Sequence, residues 1–323
     1  CGACTAVVGE LVTRNNKQTI QYKSINTCIA LASSMIGKHL VTVEGLIEGE
    51  RLHPVQQAMI TENGSQCGFC TPGVVMSLFA MYHNEDQLNI TKINEGLSGN
   101  LCRCTGYKPI IAAAFSSINE KANNPADYYT KNQAKIKQTL AKLNKDQNIS
   151  LSYNNNGNTI HYDAPLRLKD LAKVFGDNPQ ATILAGGTDL NLEITQSTRE
   201  FGHIINISQV QELNVIKDEK SKIEIGSAVT YQDASSSLIK YWPELEGFLH
   251  RFASLPIKNW ATIGGNIANA SPIGDMPPVL IALEAKLKLR KKSGTRSVSL
   301  EDFFISYKKT VLEEGEFIES ITI

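Results

Sequence analysis

The sequence predicts an α+β protein of several domains, and three observations lead to this prediction. The chain has 323 residues, which exceeds one ordinary domain and is enough for two or three that each bury a core. All seven cysteines lie within the first 104 residues. Beyond a polar stretch rich in Asn, Lys and Gln, the pattern changes to short alternating helices and strands. We therefore expect a cysteine-bearing part, a linker and an αβ part.

The charge and hydropathy patterns exclude two classes of partner. Lys and Arg total 32, as do Asp and Glu, so no basic field is available to hold nucleic acid or an anionic membrane surface. Apolar runs stay far below the roughly 18 residues of a membrane span, and no charged-then-apolar leader precedes them. These features predict a soluble, cytoplasmic protein. Because the chain starts at Cys1 and ends within an alternating pattern at 316–323, we also expect it to be truncated at both ends.

Two cysteine pairs in glycine-rich turns organise the first part. Cys67 and Cys70 lie in the segment GSQCGFCTPG at 64–73, and Cys102 and Cys104 lie in GNLCRCTGY at 99–107. Four thiolates of this kind bind either zinc or an iron–sulfur cluster, so the spacing leaves both open. The neighbouring glycines either let backbone N–H groups approach cluster sulfurs or simply form the turns.

A second cysteine set favours iron–sulfur chemistry over zinc. Plant-type 2Fe–2S proteins space their ligands Cys-x4-Cys-x2-Cys, with the fourth ligand well downstream. Cys1, Cys4 and Cys28 fit the last three places, which puts the missing ligand about five residues before Cys1. The odd number of cysteines is then explained by the truncation.

Periodicity and end signals predict the elements in order. The expected strands are 40–44, 181–185, 204–207, 222–225 and 316–323, and the expected helices are 54–63, 72–83, 91–97, 109–117, 168–175 and 230–239. Thr91 and Thr230 are the expected N-caps of their helices. One amphipathic turn at 136–143 is expected within the linker. The six histidines accompany no nucleophile pattern, which favours surface or satisfied core roles.

Two glycine-bearing segments of the second half have the composition of loops that cup a phosphate. One is ILAGGTDL at 183–190, and the other is TIGGN at 262–266, followed by ASPIGD at 270–275. Glycines expose consecutive backbone N–H groups, and Thr, Ser and Asn add donors. As bare patterns they are weak, because Gly-Gly after a strand is most often an ordinary turn. Neither a Gly-x-Gly-x-x-Gly nor a P-loop motif occurs, which disfavours a Rossmann or P-loop site.

Together these segments resemble the xanthine dehydrogenase and aldehyde oxidase family of molybdenum hydroxylases. Residues 64–73 and 99–109 resemble the family's second-cluster motif nearly residue for residue, and residues 1–5 with 26–28 resemble its first cluster without the leading cysteine. The two glycine segments resemble its FAD-binding loops in the same order. The resemblance covers essentially the whole chain and departs at 255–260, where Trp260 is bulky.

The resemblance implies two 2Fe–2S clusters and one FAD. Cys1, Cys4 and Cys28 are the implied ligands of the flavin-proximal cluster, and Cys67, Cys70, Cys102 and Cys104 are those of the cluster nearer the molybdopterin. Gln66 matches a position that approaches the pterin. The implied FAD contacts are Ile183, Leu184, Ala185, Gly186, Gly187, Thr188, Asp189, Leu190, Phe252, Thr262, Ile263, Gly264, Gly265, Asn266, Asp275 and Ile318. No catalytic residue is implied on this chain.

The implied architecture has three domains. They are a β-grasp, ferredoxin-like 2Fe–2S domain at 1–52 that lacks its N-terminus, a helical 2Fe–2S domain at 53–120, and an α+β FAD-binding domain of the vanillyl-alcohol-oxidase type at 159–323 that lacks its C-terminal part. A linker at 121–158 precedes the last of them.

The implied function is the electron-transfer part of a xanthine dehydrogenase, like the iron–sulfur and FAD small subunit of bacterial enzymes. Electrons would pass from molybdopterin on a separate large subunit through the two clusters to FAD and then NAD, within a hetero-oligomer. Two alternatives stay open. One is the same role in an aldehyde or N-heterocycle oxidoreductase, and the other is a zinc-stapled interaction module supported only by the four thiolates.

Overall fold

The structure is a computed structural model that describes residues 1–14, 17–119, 121, 123, 126–143, 147–155, 157–219 and 221–323. It groups the chain into two units. Unit 1 comprises Cys1–Lys145 and Ala253–Asn259, and unit 2 comprises Asp146–Phe252 and Trp260–Ile323. The mixture of helices and strands confirms the predicted α+β multidomain class. Among the described residues, no helix is long and apolar enough to cross a membrane.

A three-stranded antiparallel sheet begins unit 1. Its strands are β1 (Thr5–Arg14), β2 (Lys17–Asn26) and β3 (His39–Val41), in the order β2-β1-β3. Thr5 lies opposite Asn26 in the β1–β2 hairpin. The loop that precedes β1 and the turn that follows β2 therefore meet at one end of the sheet, and this brings Cys4 beside Thr27 and Cys28. The Thr27 hydroxyl donates to the Cys4 carbonyl oxygen at 2.7 Å.

Six α-helices follow the sheet among the described residues of 54–143. They are α1 (Pro54–Thr61), α2 (Thr71–Asn84), α3 (Ile90–Gly96), α4 (Lys108–Asn119), α5 (Tyr128–Lys131) and α6 (Gln133–Leu143). The central helix is α2, whose residues 73–82 are all buried, and it packs against α1, α3 and α4. Because one cysteine turn leads into α2 and the other leads into α4, the packing of these helices sets where the two turns lie.

Some elements differ from the prediction at their ends. The strand expected at 40–44 is shorter, because residues 43–46 turn into a 3-10 helix. The helix expected to start behind a Thr91 cap starts earlier, since the Asn89 side chain accepts from the Lys92 N–H at 2.9 Å. Asn caps a helix at least as well as Thr, so the earlier residue is preferred. The Thr230 cap is confirmed, since its hydroxyl accepts from the Asp233 N–H.

The stretch interpreted as a linker, residues 121–158, contains regular structure. It includes α5, α6 and β4 (Ile149–Asn155), which pairs with β5 (Asn158–Ala164). Tyr129 and Leu140 are buried in it, although their neighbours are polar. A few apolar residues at helical spacing are enough to dock a short helix, and the Asn- and Lys-rich composition conceals them.

The described strands of unit 2 after β5 are β6 (Thr182–Leu184), β7 (His203–Asn206), β8 (Ile216–Glu219), β9 (Lys222–Gly226), β10 (Lys286–Lys291), β11 (Gly294–Ser299), β12 (Phe304–Ser306), β13 (Lys309–Thr310) and β14 (Phe317–Thr322). Two larger sheets contain most of them. The first has the order β4-β5-β7-β6, in which β7 runs parallel to both β5 and β6. The second is antiparallel with the order β11-β10-β14-β9-β8, and β12 pairs with β13 in a separate two-stranded sheet. The other helices of the chain are α7 (Leu168–Asp177), α8 (Leu190–Thr195), α9 (Tyr231–Tyr241), α10 (Glu246–Arg251), α11 (Leu255–Lys258), α12 (Ile263–Ala268) and α13 (Met276–Ala282).

A short segment from the second half of the chain, residues 253–259 with α11, belongs to unit 1. Asn259 donates from Nδ2 to the Ser24 carbonyl oxygen at 2.9 Å, and the Leu255 N–H donates to Ser98 Oγ at 2.9 Å. The ammonium of Lys258, itself buried, pairs with Glu95 at 3.1 Å. The predicted FAD-binding range of 159–323 therefore includes a stretch that packs on the iron–sulfur part.

A buried cluster of two histidines and a carboxylate joins α1, α2 and the start of α5. Asp127 Oδ2 lies 2.8 Å from His53 Nε2 and 3.0 Å from His83 Nε2. The other oxygen, Oδ1, caps α5 by accepting from the Thr130 N–H at 2.7 Å. Burial opposes ionisation of Asp127, but the imidazole donors outweigh it and hold the pKa of Asp127 well below its usual range.

The tautomer of His53 decides what this cluster does. The three side chains have the composition and proximity of a metal site. However, His53 Nδ1 accepts from the Val55 N–H at 3.3 Å and caps α1, which assigns the ring proton to Nε2. A nitrogen that carries a proton has no lone pair for a metal, and metal-bound histidines usually donate from their second nitrogen. The cluster is therefore a hydrogen-bonded lock within unit 1.

Asp127→Asn is expected to lower the free energy of unfolding of unit 1 by about 2–4 kcal/mol at pH 7, because it leaves a buried imidazole donor facing an amide NH2. Chemical denaturation measures this, with Asp86→Asn as the control, since Asp86 is a fully exposed carboxylate. The Asp127 contribution is present above its unfolded pKa of about 4 and is lost at lower pH. The gap between wild type and variant should therefore narrow progressively as the pH falls below about 4 toward the much lower folded pKa of Asp127, and a gap that is independent of pH would contradict the lock.

Candidate functional site

The structure brings together the four cysteines of the two glycine-rich turns. Cys67 Sγ and Cys104 Sγ lie 3.5 Å apart, and Cys70 and Cys102 hydrogen-bond through their sulfurs. Cys70 and Cys102 are buried, whereas Cys67 and Cys104 are exposed. All seven cysteines of the chain are free thiols. The result is one site of four sulfurs, two of them on buried cysteines and two on exposed cysteines.

The Cys102 turn already directs donors at its sulfur. Burial opposes ionisation of this thiol, but the Thr105 hydroxyl and the backbone N–H groups of Thr105 and Cys104 outweigh it and lower the pKa of Cys102 to about 7. The Thr105 hydroxyl lies 3.1 Å from Cys102 Sγ. Cys70 behaves in the opposite way, since burial, with its bond to Cys102, raises its pKa to about 11. Donors aimed at a sulfur favour its thiolate form, which is the form that ligates metal.

The glycines beside these cysteines have two different roles. Gly68 and Gly106 have φ of 84° and 65°, and a Cβ there would meet no atom within 4 Å. They are needed for the left-handed backbone of their turns, not for space. Gly99 is needed for packing, because a Cβ there would lie 2.9 Å from the Pro256 ring.

The first cysteine set is assembled at the end of the β1–β2 hairpin. Cys4 and Cys28 hydrogen-bond through their sulfurs, and burial together with this bond raises the pKa of Cys28. Cys1 is exposed, and its backbone carbonyl accepts from the Leu101 N–H at 2.9 Å. The structure thus places the three predicted ligands in one region. Thiol-only donor sets fit iron–sulfur clusters, and tetrahedral zinc also accepts four thiolates.

The two predicted flavin loops meet in unit 2. β6 ends at Leu184 on a sheet edge, and the chain then enters Gly186 and Gly187. A Cβ on Gly186 would overlap the carbonyl oxygen of Trp260, so the first loop rests directly on the backbone that leads into the second. Gly187 has φ of 70°, which favours glycine. The bulk of Trp260 does not separate the loops, because the contact is made by its backbone.

The second loop is fixed by its own hydroxyl. Thr262 Oγ1 accepts from the Gly265 N–H at 3.0 Å, and a Cβ on Gly264 would overlap Ser227. Buried oxygens of Asn266, Ser227 and Tyr231 find no hydrogen-bond partner among the described residues. Buried polar atoms are normally satisfied, so unpaired ones beside a glycine cradle fit the binding of a polar ligand such as the pyrophosphate and ribityl groups of FAD.

The other predicted FAD contacts lie outside the two glycine-bearing loops. Phe252 packs on Tyr231 with ring centroids 4.6 Å apart. Asp275 is exposed at the start of α13, and Ile318 is buried in the same apolar cluster as Ile263. Gln66 is exposed beside Cys67. The buried unpaired hydroxyls of Ser227 and Tyr231 were not predicted, because a single Ser or Tyr has no recognisable sequence pattern.

Comparison with known proteins matches two parts of the chain to domain families. Residues 158–323 match the FAD binding domain in molybdopterin dehydrogenase, and residues 42–115 match a 2Fe–2S binding domain. The first match covers more than half of the chain. This chain belongs to the molybdenum hydroxylase family.

Relatives within this family are similar over the whole of this chain but are longer. Xanthine dehydrogenase of Drosophila pseudoobscura pseudoobscura is 31% identical over 99% of this chain and 27% of the relative. Xanthine dehydrogenase 1 of Arabidopsis thaliana is 30% identical over 99% of this chain and 28% of the relative. This chain thus spans roughly a quarter of the length of these curated relatives. Among solved structures, quinoline 2-oxidoreductase from Pseudomonas putida 86 is similar with a TM-score of 0.48, at 29% identity, over 50% of this chain and 57% of that chain.

Gly186→Ala is expected to destabilise unit 2 by about 1–3 kcal/mol or more, because the new methyl group meets a backbone carbonyl that has no side-chain freedom to yield. Gly202→Ala is the matched control in the same unit, since a Cβ there meets nothing within 4 Å. Urea denaturation followed by tryptophan fluorescence compares the two. Equal stability of both variants would contradict the close approach of the two loops.

Proposed function

We propose that this chain is the electron-transfer part of a xanthine dehydrogenase, taking electrons from a molybdopterin centre on a partner subunit and passing them through two 2Fe–2S clusters to FAD and then NAD. The observation that carries the proposal is the convergence of Cys67, Cys70, Cys102 and Cys104 in one unit of a chain whose other unit holds paired flavin-type loops. Similarity to named xanthine dehydrogenases supports the purine substrate.

The chain's own residues bind and tune the cofactors. The clusters and FAD supply the redox chemistry when bound. The donors of Thr105 and of the Cys104 backbone stabilise negative charge on the Cys102 sulfur, and hydrogen bonds of this kind raise a reduction potential. In unit 2, Thr262, Gly264 and Gly265 shape a loop whose backbone N–H groups suit a pyrophosphate.

An exposed apolar patch beside the Cys67 site supports a partner subunit. Phe69 is 72% exposed and Leu101 is 65% exposed, and each lies within two residues of a predicted ligand. Large apolar side chains that flank a functional site and face outward are typical of protein–protein contacts. We assign this patch to the docking of the molybdopterin-binding subunit, which would place Gln66 and the exposed sulfurs of Cys67 and Cys104 at the interface.

We propose the predicted domain roles on the same grounds. Residues 1–52 and 53–120 each hold one cluster, and residues 159–323 hold FAD. Seven free thiols fit a reducing compartment, which supports a cytoplasmic location.

The test is the cofactor content of the native complex together with two single variants. The full-length complex should contain about four iron atoms and one FAD for each copy of this chain, with two distinct 2Fe–2S signals by electron paramagnetic resonance. Cys67→Ser should remove one signal, and Cys28→Ser should remove the other. Each variant controls for general damage in the other, because each keeps the remaining cluster.

Three results would decide against parts of the proposal. Bound zinc with no visible chromophore would replace it with a zinc-stapled interaction module. Turnover of an aldehyde or an N-heterocycle, without turnover of xanthine, would keep the electron-transfer role and change the substrate. Reduction of oxygen but not NAD would change the acceptor.

A further inference from the structure

One buried side chain, Asn100, connects the two cysteine sets of unit 1. It lies two residues before Cys102 and is 3% exposed. Its Nδ2 donates to the Gly2 carbonyl oxygen at 3.2 Å and to Thr5 Oγ1 at 3.1 Å. Gly2 lies between Cys1 and Cys4, so this amide links the turn of one predicted cluster to the loop of the other.

The remaining capacity of the Asn100 amide is also used. Ser77 on α2 donates from Oγ to Asn100 Oδ1 at 2.6 Å. A side-chain amide offers two N–H donors and one carbonyl acceptor, and here all three functions are taken. The Gly2 carbonyl oxygen only accepts, and the Thr5 hydroxyl already donates to it at 2.7 Å, so the Asn100 side that faces Gly2 and Thr5 must be the Nδ2 donor. A buried amide whose nitrogen and oxygen are both hydrogen-bonded holds the segments around it in one arrangement.

The backbone segments around Asn100 pack in close contact. A Cβ on Gly2 would overlap the Gly99 carbonyl oxygen, and a Cβ on Gly73 would overlap the Gly2 carbonyl oxygen. The Leu101 N–H donates to the Cys1 carbonyl oxygen at 2.9 Å. The three backbone segments thus touch one another, and Asn100 is the side chain that closes the junction.

We propose that Asn100 is a positioning residue that fixes the separation and mutual orientation of the two clusters. This inference rests on the proposed function, since it needs both clusters. Electron transfer between two centres falls steeply with their distance, and a side chain that locks their loops to one another sets that distance. Asn100 has no sulfur to offer either cluster as a ligand, and it acts only through Gly2, Thr5 and the Cys102 turn.

The test compares three variants of the native complex, which remove different hydrogen bonds around Asn100. Asn100→Ala removes the link. Thr5→Val removes one partner on the Cys1–Cys4 side, far in sequence from Cys102. Ser77→Ala is the matched control, because it removes a hydrogen bond to the same amide without touching the Cys1–Cys4 loop. Iron content and the two separate 2Fe–2S signals are measured first, and the magnetic interaction between the two reduced clusters and the rate of electron transfer between them are measured next.

With both signals present, Asn100→Ala should weaken the magnetic interaction and slow intercluster transfer several-fold, because the two loops are no longer held at one separation. Thr5→Val should give a smaller loss of the same kind, and Ser77→Ala should keep most of the interaction. An unchanged interaction in Asn100→Ala overturns the inference.

Two other outcomes are also decisive. If Asn100→Ala loses the Cys67 cluster outright while Thr5→Val leaves the intercluster interaction unchanged, Asn100 only shapes its own turn and the inference fails. If the wild-type complex lacks two 2Fe–2S signals, the proposed function fails first, and that result is recognised before any variant is compared.

Discussion

The close contact of three backbone segments at Gly2, Gly73 and Gly99 is the constraint on which the rest of unit 1 depends. A Cβ on Gly2 would overlap the Gly99 carbonyl oxygen, and a Cβ on Gly73 would overlap the Gly2 carbonyl oxygen. The chain before β1 therefore meets the start of α2 and the turn before Cys102 at one junction. Both cysteine sets are anchored at that junction. The positions of the cysteines are therefore set mainly by backbone packing. The hydrogen bonds of Asn100 with Ser77 and Gly2 add to this packing.

Unit 2 uses the same physical device for a different ligand. Gly186 rests on the Trp260 carbonyl, Gly264 rests on Ser227, and Gly226 rests on the Leu213 carbonyl. These contacts align two loops that are about 80 residues apart in the chain and leave buried oxygens unpaired beside them. A loop that binds its ligand through backbone groups needs few specific side chains. Here it needs the glycines and the Thr262 hydroxyl, which accepts from the Gly265 N–H.

The sequence predicted local features well because they depend on neighbouring residues. The cysteine pairs, the helix at 72–83 and the Thr230 cap all follow from spacing and periodicity, and the structure has them. It did not predict the His53, His83 and Asp127 lock, whose members are 30 to 74 residues apart and show no pattern. The regular structure within 121–158 was only partly predicted, as the amphipathic turn at 136–143, since burial of Tyr129 and Leu140 is decided by tertiary contacts and not by the polar residues around them.

In each of the two cysteine pairs of this site, one cysteine is buried and the other is exposed. Cys70 and Cys102 are buried against the core of α2, where Val74, Leu78 and Phe79 exclude water. Cys67 and Cys104 are exposed next to Phe69 and Leu101. Since Asn100 extends from the buried side of the same turn toward Gly2, the buried side leads to the other cysteine set and the exposed side leads out of the chain. On the proposed assignment, a cluster held by these four sulfurs would have one inner and one outer neighbour, which is the arrangement that an intermediate carrier in an electron-transfer chain requires.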